Sequence, residues 1–384
     1  MKKLFLPVFL LMTQLVLAQS LLIAAKEKGK PYGYINETGQ YVIQPSFDLA
    51  GPFYQNRAVV KKGKKFGVIN SKGEYIVSPI YDDAIDYAPE GKVTVKSGSN
   101  WGVIDEQGKT IIPFQYAYLS VFKNGYVVGG RVLTGKAFKG RICPLVLNEK
   151  ADTVFIQDDC EDMPDFLIGR MDKKGLFLGV WPIVRDGKVL LESGYELDPI
   201  ILDIKGNQKV TLTSITIDNA YGFREGLLPA TFAPEGPTRD GIYIDSAGLS
   251  YNSDYIKSFD TLRAQQVYPF FNGVAGIEQD GKWSFIDREG SIISKTNLPV
   301  SDYKAFPPMH FNGLVGFFKK GKVGYVNLEG EVVIPFQYDE YHPFEEAVTP
   351  VKYKGLYGLI RKDGSWAVQP KFEMLYLSPC PCYQ

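Results

Sequence analysis

The chain has 384 residues, and its 43 Lys plus Arg balance 43 Asp plus Glu to a net charge of zero. That balance supplies no overall basic field for a phosphate backbone and no acidic tail, so no nucleic-acid partner is expected. With only two His, there is little material for acid–base chemistry, and no catalytic residue and no cofactor are expected.

In chain order, the first element is MKKLFLPVFLLMTQLVLAQS. Lys2 and Lys3 precede an apolar run from Leu4 to Leu17, and Val16 and Ala18 stand at the small-residue positions that a signal peptidase reads. Residues 1–18 are expected to be a secretory signal peptide, with the remainder exported to the periplasm, cell surface or medium. No later run approaches the roughly 20 apolar residues a membrane helix needs. No Cys follows the expected cleavage site, so a lipid anchor is not expected.

From Leu21 a single pattern recurs. A strand such as LLIAA (21–25) or AVVKK (58–62) leads through a Gly-Lys turn to an aromatic-Gly pair and an alternating strand, GYIN, GVIN or GVID. An Asx-x-x-Gly turn follows, as in Asn36 to Gly39, Asn70 to Gly73, Asp105 to Gly108, Asp287 to Gly290 and Asn327 to Gly330. The reason is local: an Asx side chain can accept from the backbone two residues on, and Gly takes a positive φ without a Cβ clash. The spacing therefore predicts a type I turn closed by a G1 bulge. A β-branched strand follows, with a proline at Pro45, Pro79, Pro113, Pro335 or Pro370 that lacks a donor and is expected to end the ladder. An aromatic-acid step, such as Tyr81-Asp82 or Tyr338-Asp339, then leads to the next unit.

The middle, about 130–240, is divergent. The stretch QDDCEDMPD holds Asp158, Asp159, Glu161, Asp162 and Asp165, whose carboxylates could gather a Ca²⁺ ion, although their spacing matches no EF-hand loop. The plainer reading is a solvated acidic loop held by a disulfide between Cys143 and Cys160. FLGVWPIVRDGKVLLE (177–192) reads as an extra hairpin inserted in one unit. His310 and His342 fall at bends where other units carry ordinary residues, and are expected to be structural or solvated. The terminal CPC, Cys380 to Cys382, has no further Cys or His nearby to complete a metal site.

Turn positions are spaced 34, 35, 43, 55, 42, 42, 40 and 34 residues apart, which gives nine units over residues 19–384. A period of this kind marks a solenoid or propeller. The expected fold is all-β: tandem antiparallel hairpin or meander repeats in a propeller-like closed array, with an open β-repeat superhelix as the alternative. The two ends look like complementary parts of one unit, which favours closure.

The aromatic-Gly pairs resemble those of the WG-repeat proteins of bacteria. They stand at Tyr32-Gly33, Phe66-Gly67, Trp101-Gly102 and Tyr357-Gly358, with Trp283-Ser284 and Val323-Gly324 as partial matches. The resemblance implies an architecture and carries over no catalytic residues. The residues themselves lead to the same anchors: an aromatic fills a seam between units and the glycine admits a close backbone. The expected function is a non-catalytic, exported binding scaffold that offers a β-surface to a protein or cell-envelope polysaccharide. The alternatives are a carbohydrate-binding module whose rings stack on sugars and, less favoured, a hydrolase on a repeat scaffold.

Overall fold

The computed structural model describes residues 21–377, apart from 86–89, 124, 133–140, 305–308, 341 and 345. Between 157 and 263 it describes the strand segments and Glu225. The expected signal peptide, the acidic cluster from Asp158 to Asp165, Cys160 and the terminal CPC lie outside the described residues.

Every regular element described is a strand, and every pairing is antiparallel. Among the described residues, no helix is long and apolar enough to cross a membrane. The Asx-x-x-Gly turns form as the sequence predicts. The N–H of Gly39 donates to the Asn36 carbonyl and the N–H of Asn36 to that of Gln40, both at 3.0 Å, while Asn36 Oδ1 accepts from the N–H groups of Thr38 and Gln40. The same backbone bonds recur at Asn70, Asp105, Asn148, Asp287 and Asn327. Gly39, Gly73, Gly108, Gly290, Gly330 and Gly364 share φ values of 80–85°, and Ala151, which takes this place once, adopts φ 66°.

A representative unit is a four-stranded meander of Leu49–Ala50, Arg57–Lys62, Lys65–Asn70 and Tyr75–Tyr81. One residue, Asp82, separates it from the next meander, which starts at Asp83–Ala84. Asp82 is also the junction's clamp. Its carboxylate accepts from Gly98 N–H at 2.8 Å in the following unit's turn and pairs with Lys65 Nζ at 2.6 Å. Asp48 clamps Gly63 N–H in the same way at 2.6 Å, and Asp339 pairs with Lys322 at 2.5 Å.

The core lies in the seams between units. Ile43 and Phe47 of the first unit pack with Ala58, Val60 and Ile69 of the second, and Val77 and Tyr81 pack with Val93, Val95 and Ile104 of the third. Fully burying each such aliphatic or aromatic side chain stabilises by roughly 1.5–3 kcal/mol, and a unit alone could not supply the cover.

The array closes through its two ends. The last strand, Trp366–Tyr376, pairs by its first half with Leu356–Arg361 and by its second half with Ile23–Glu27, so that Ala24 lies opposite Tyr376 and Lys26 opposite Met374. Among the described residues no barrel is made; the chain returns to its starting sheet. The closing seam also repeats the interior ones, with Val368 and Phe372 packed on Ile23, Ala25 and Ile35. A Cβ on Gly39 would lie 2.9 Å from Val368, just as one on Gly73 would lie 3.0 Å from Ile43. This pairing of ends excludes the open superhelix.

Two expectations need correction. The prolines do not end the ladder: Pro45 and Pro79 sit inside strands Tyr41–Phe47 and Tyr75–Tyr81, where the register shifts. A bulge needs no donor from the residue it extrudes, so the missing N–H costs nothing there. The hairpin read as an insertion, Pro182–Arg185 paired with Lys188–Leu191, is instead half of a separate four-stranded sheet with Ile200–Asp203 and Lys209–Thr211. The additional strands are Gly169–Met171 and Phe177–Leu178, appended to the sheet of Arg141–Asn148.

Candidate functional surface

The aromatic anchors occupy one register position. Reading across each sheet, Lys26 lies opposite Tyr32 and Tyr32 opposite Phe47; Lys61, Phe66 and Tyr81 repeat the row, as do Lys96, Trp101 and Tyr116, and Lys352, Tyr357 and Phe372. The lysine ammonium stands 5.0–5.8 Å from the centre of its ring in all four rows. A cation over a ring face is attracted by the quadrupole and also covers it. Phe66, Trp283 and Tyr357 are buried, whereas Tyr32 and Trp101 are half-buried against the seam clusters.

The paired glycines are fixed by their own hairpins. A Cβ on Gly33 or Gly67 would lie 2.6 Å from the carbonyl oxygen of Ile43 or Val77, and one on Gly102, Gly324 or Gly358 would meet Ile112, Ile334 or Val368 at 2.6–2.8 Å. The close backbone thus belongs to the same unit, at the proline bulge. A tyrosine two residues beyond the anchor fastens units together: Tyr34 donates to the Gly51 carbonyl at 2.8 Å, and Tyr243 and Tyr325 donate to those of Tyr268 and His342 at 2.7 Å.

The histidines sit in packed bends. His342 is held below its ordinary pKa by burial, against an opposing pull from Glu340, and its ring meets the edge of Tyr357. Burial raises the Glu340 pKa, but hydrogen bonds from Lys352 Nζ at 2.6 Å and from Tyr357 Oη bring it below the usual carboxylate value. Tyr357 is raised by burial and by the same carboxylate. His310 is lowered by burial, and its Nε2 accepts from Gly313 N–H at 3.1 Å. Among the described residues, no group of three or more His, Cys, Asp and Glu could hold a metal ion. Cys143 is buried and disulfide-bonded, and its partner lies outside the described residues.

What the residue pattern did not bring out is an apolar row on the edge strands. The third residue after the turn glycine is exposed in four units: Val42 at 49%, Ile76 at 37%, Ile293 at 45% and Val333 at 39%. Tyr75 and Val332, one position earlier, are exposed too. These strands are outermost in their sheets. Their prolines and bulges interrupt a regular row of free backbone groups, so the surface presents side chains rather than a template for another strand. The positions were visible as β-branched letters, but alternation alone assigns them no partner.

Against known families, segments 32–66, 66–101, 101–128, 265–283 and 324–357 match the WG containing repeat, and the joints between the first three fall on Phe66 and Trp101, the anchors described above. The chain carries WG repeats at these five places. Its WG repeats account for the register row and for the glycines at the bulge. No curated protein matches the chain in sequence. Solved structures similar to it include a eukaryotic initiation factor, at 13% identity over 94% of this chain and 85% of that one, with a TM-score of 0.46. Others are apo AztD from Citrobacter koseri, at 10% over 94% and 95% with a TM-score of 0.36, and the dihydro-heme d1 dehydrogenase NirN in complex with DHE, at 11% over 85% and 77% with a TM-score of 0.42.

Proposed function

We propose that this repeat scaffold is an exported, non-catalytic binding protein whose apolar edge row takes a protein partner. The observation that carries the reading is the recurrence of Val42, Ile76, Ile293 and Val333 as exposed β-branched residues at one position of the repeat. Scattered single apolar residues need no explanation, but a row repeated by the architecture makes an extended surface of the kind that protein interfaces use. The sugar-stacking alternative is less well supported, because the anchor rings are packed in seams and lie under lysines. A hydrolase finds little support in His310 and His342, since each is engaged in holding a bend. Export rests on the N-terminal Lys2, Lys3 and the apolar run to Leu17.

Photo-crosslinking amino acids placed at Val42, Ile76 and Val333, and as controls at Lys28 and Lys64, test the surface in intact cells. The expected result is one protein product shared by the three edge positions, absent from the controls and lost in Val42→Lys/Ile76→Lys with the melting temperature unchanged. Products that do not depend on position, or none from the edge row, overturn the assignment. Recovery of the chain only in the cytoplasmic fraction, with its N-terminus intact, overturns export.

A further inference from the structure

A net charge of zero says nothing about where the charges sit, and the meander sorts them. In each unit the turn after the second strand lies at the same end as the junction to the next unit, because Asp48 and Asp82 at the junctions accept from Gly63 and Gly98 in those turns. Four such turns belong to units made consecutive by closure: FKKGK (318–322), KYKG (352–355), KEKGK (26–30) and KKGKK (61–65). They hold twelve lysines, one acid (Glu27) and no arginine. The junction acids offset part of this. Asp82, Asp339 and Glu340 take Lys65, Lys322 and Lys352, while Glu27 and Glu373 take Lys30 and Lys26. Lys28, Lys61, Lys62, Lys64, Lys320 and Lys354 are matched by no acid among the described residues, and all but Lys61 are exposed.

Three exposed apolar side chains share this end. Leu356 follows the turn at Gly355, Met374 lies opposite Lys26, and Ile80 precedes the junction at Tyr81-Asp82. They are separate from the edge row, which lies next to the Asx turns at the other end.

We propose that this lysine-rich end of the array docks on an anionic lipid bilayer. Lysine is a point charge on a flexible stem, suited to a diffuse plane of charge, whereas arginine forks suit discrete phosphates or carboxylates. Turn tips at one end of a rigid array present those charges side by side to a flat surface, and apolar tips among basic ones can enter the boundary between headgroups and acyl chains. A polyanion strand would ask for a continuous track with rings to stack on, and the rings here lie beneath lysines.

Flotation of the full chain with phosphatidylglycerol–phosphatidylcholine vesicles and with pure phosphatidylcholine vesicles tests the proposal. The N-terminal run with Lys2 and Lys3 is common to every sample, so differences between variants report the turns. Binding is expected to be about tenfold or more tighter on the anionic vesicles and to weaken with salt. The variant K28E/K62E/K64E/K320N/K354N is expected to lose about tenfold or more of that affinity. Asn is used at Lys320 and Lys354 because their φ values are 52° and 50°, a region Asn tolerates. The opposite-end variant K72E/K109E/K362E is expected to bind like the wild type, and circular dichroism melts check that both variants fold. Equal binding to the two vesicle types, or equal loss in the two variants, overturns the proposal. Binding to soluble polyglutamate without flotation on anionic vesicles overturns the bilayer assignment and places a soluble acidic polymer there.

Discussion

At the scale of single residues, glycine does two different jobs in this chain, and they predict different mutational costs. Gly67 has no backbone strain to relieve. It is glycine because a Cβ would stand 2.6 Å from the Val77 carbonyl oxygen and 2.9 Å from Pro79 N, both backbone atoms that can yield only if the bulge opens. Gly63 has φ 62° and nothing within 4 Å of a built Cβ, so there the demand is purely conformational. Gly67→Ala is expected to destabilise by about 2–4 kcal/mol, as other overpacked or strained core changes do, and Gly63→Ala by about 1–2 kcal/mol. Gly63→Asn should recover most of the latter. Urea titrations followed by tryptophan fluorescence read all three, and a Gly67→Ala cost no larger than that of Gly63→Ala would show that the bulge is soft.

At the scale of the hairpin, legibility in the sequence followed the range of the interaction. Turns from Asn36 to Gly39 and their counterparts were readable because donor, acceptor and positive φ lie within five residues. Pro79 was misplaced because a bulge is a property of two strands: the proline's missing N–H matters only relative to the partner register at Phe66 and Val68. The edge row at Val42 and Ile76 and the lysine-rich end were hidden for a like reason, since exposure and shared ends exist only once strands are ordered into a sheet. The junction acids join hairpin to hairpin and carry a pH signature. Asp82 is held below the usual carboxylate value first by its hydrogen bond with Lys65 and then by Gly98 N–H, and Asp339 by Lys322. A folded-state pKa below the unfolded one contributes stability that is present above the unfolded value of roughly 3.9 and is lost as pH falls through the folded value. In Asp82→Asn/Asp339→Asn, the difference from wild type should therefore be largest near neutral pH and close as the pH drops below about 4. Denaturant midpoints from about pH 2 to about pH 7, which span the carboxylate pKa, measure this. A difference that stays constant with pH would mean that the carboxylate charges contribute nothing and that only hydrogen-bond geometry matters.

At the scale of the whole molecule, closure is expected to couple the tandem units into one cooperative body, because the first and last units otherwise present unpaired strands and an uncovered apolar face. The sealing contact is short: four residue pairs between Ile23–Glu27 and the end of Trp366–Tyr376, with a register shift after Lys26. Ion pairs at 4.0 Å between Lys26 and Glu373 and at 3.9 Å between Lys371 and Glu27 lie beside it and, being exposed, add little. Lys26 and Met374 face each other across this contact and neither is buried, so they are the place to fix it covalently. Directly opposed strand residues bring their Cβ atoms to about 4.5–5.5 Å, at the wide end of what a disulfide can bridge with a small adjustment. In Lys26→Cys/Met374→Cys, oxidation should therefore form a bond that shifts mobility on a non-reducing gel and, by linking the ends of a loop of hundreds of residues, stabilises by about 2–4 kcal/mol. The reduced variant supplies the baseline, since losing Lys26 also removes its contact with Tyr32. A control pair at Lys26→Cys/Lys354→Cys, which are not register partners, should not oxidise at a comparable rate. If the designed pair fails to form in the folded protein, the ends are not zipped and the array is open. If it forms but leaves the unfolding midpoint unchanged, closure is present without limiting stability, and the interior seams unfold independently of it.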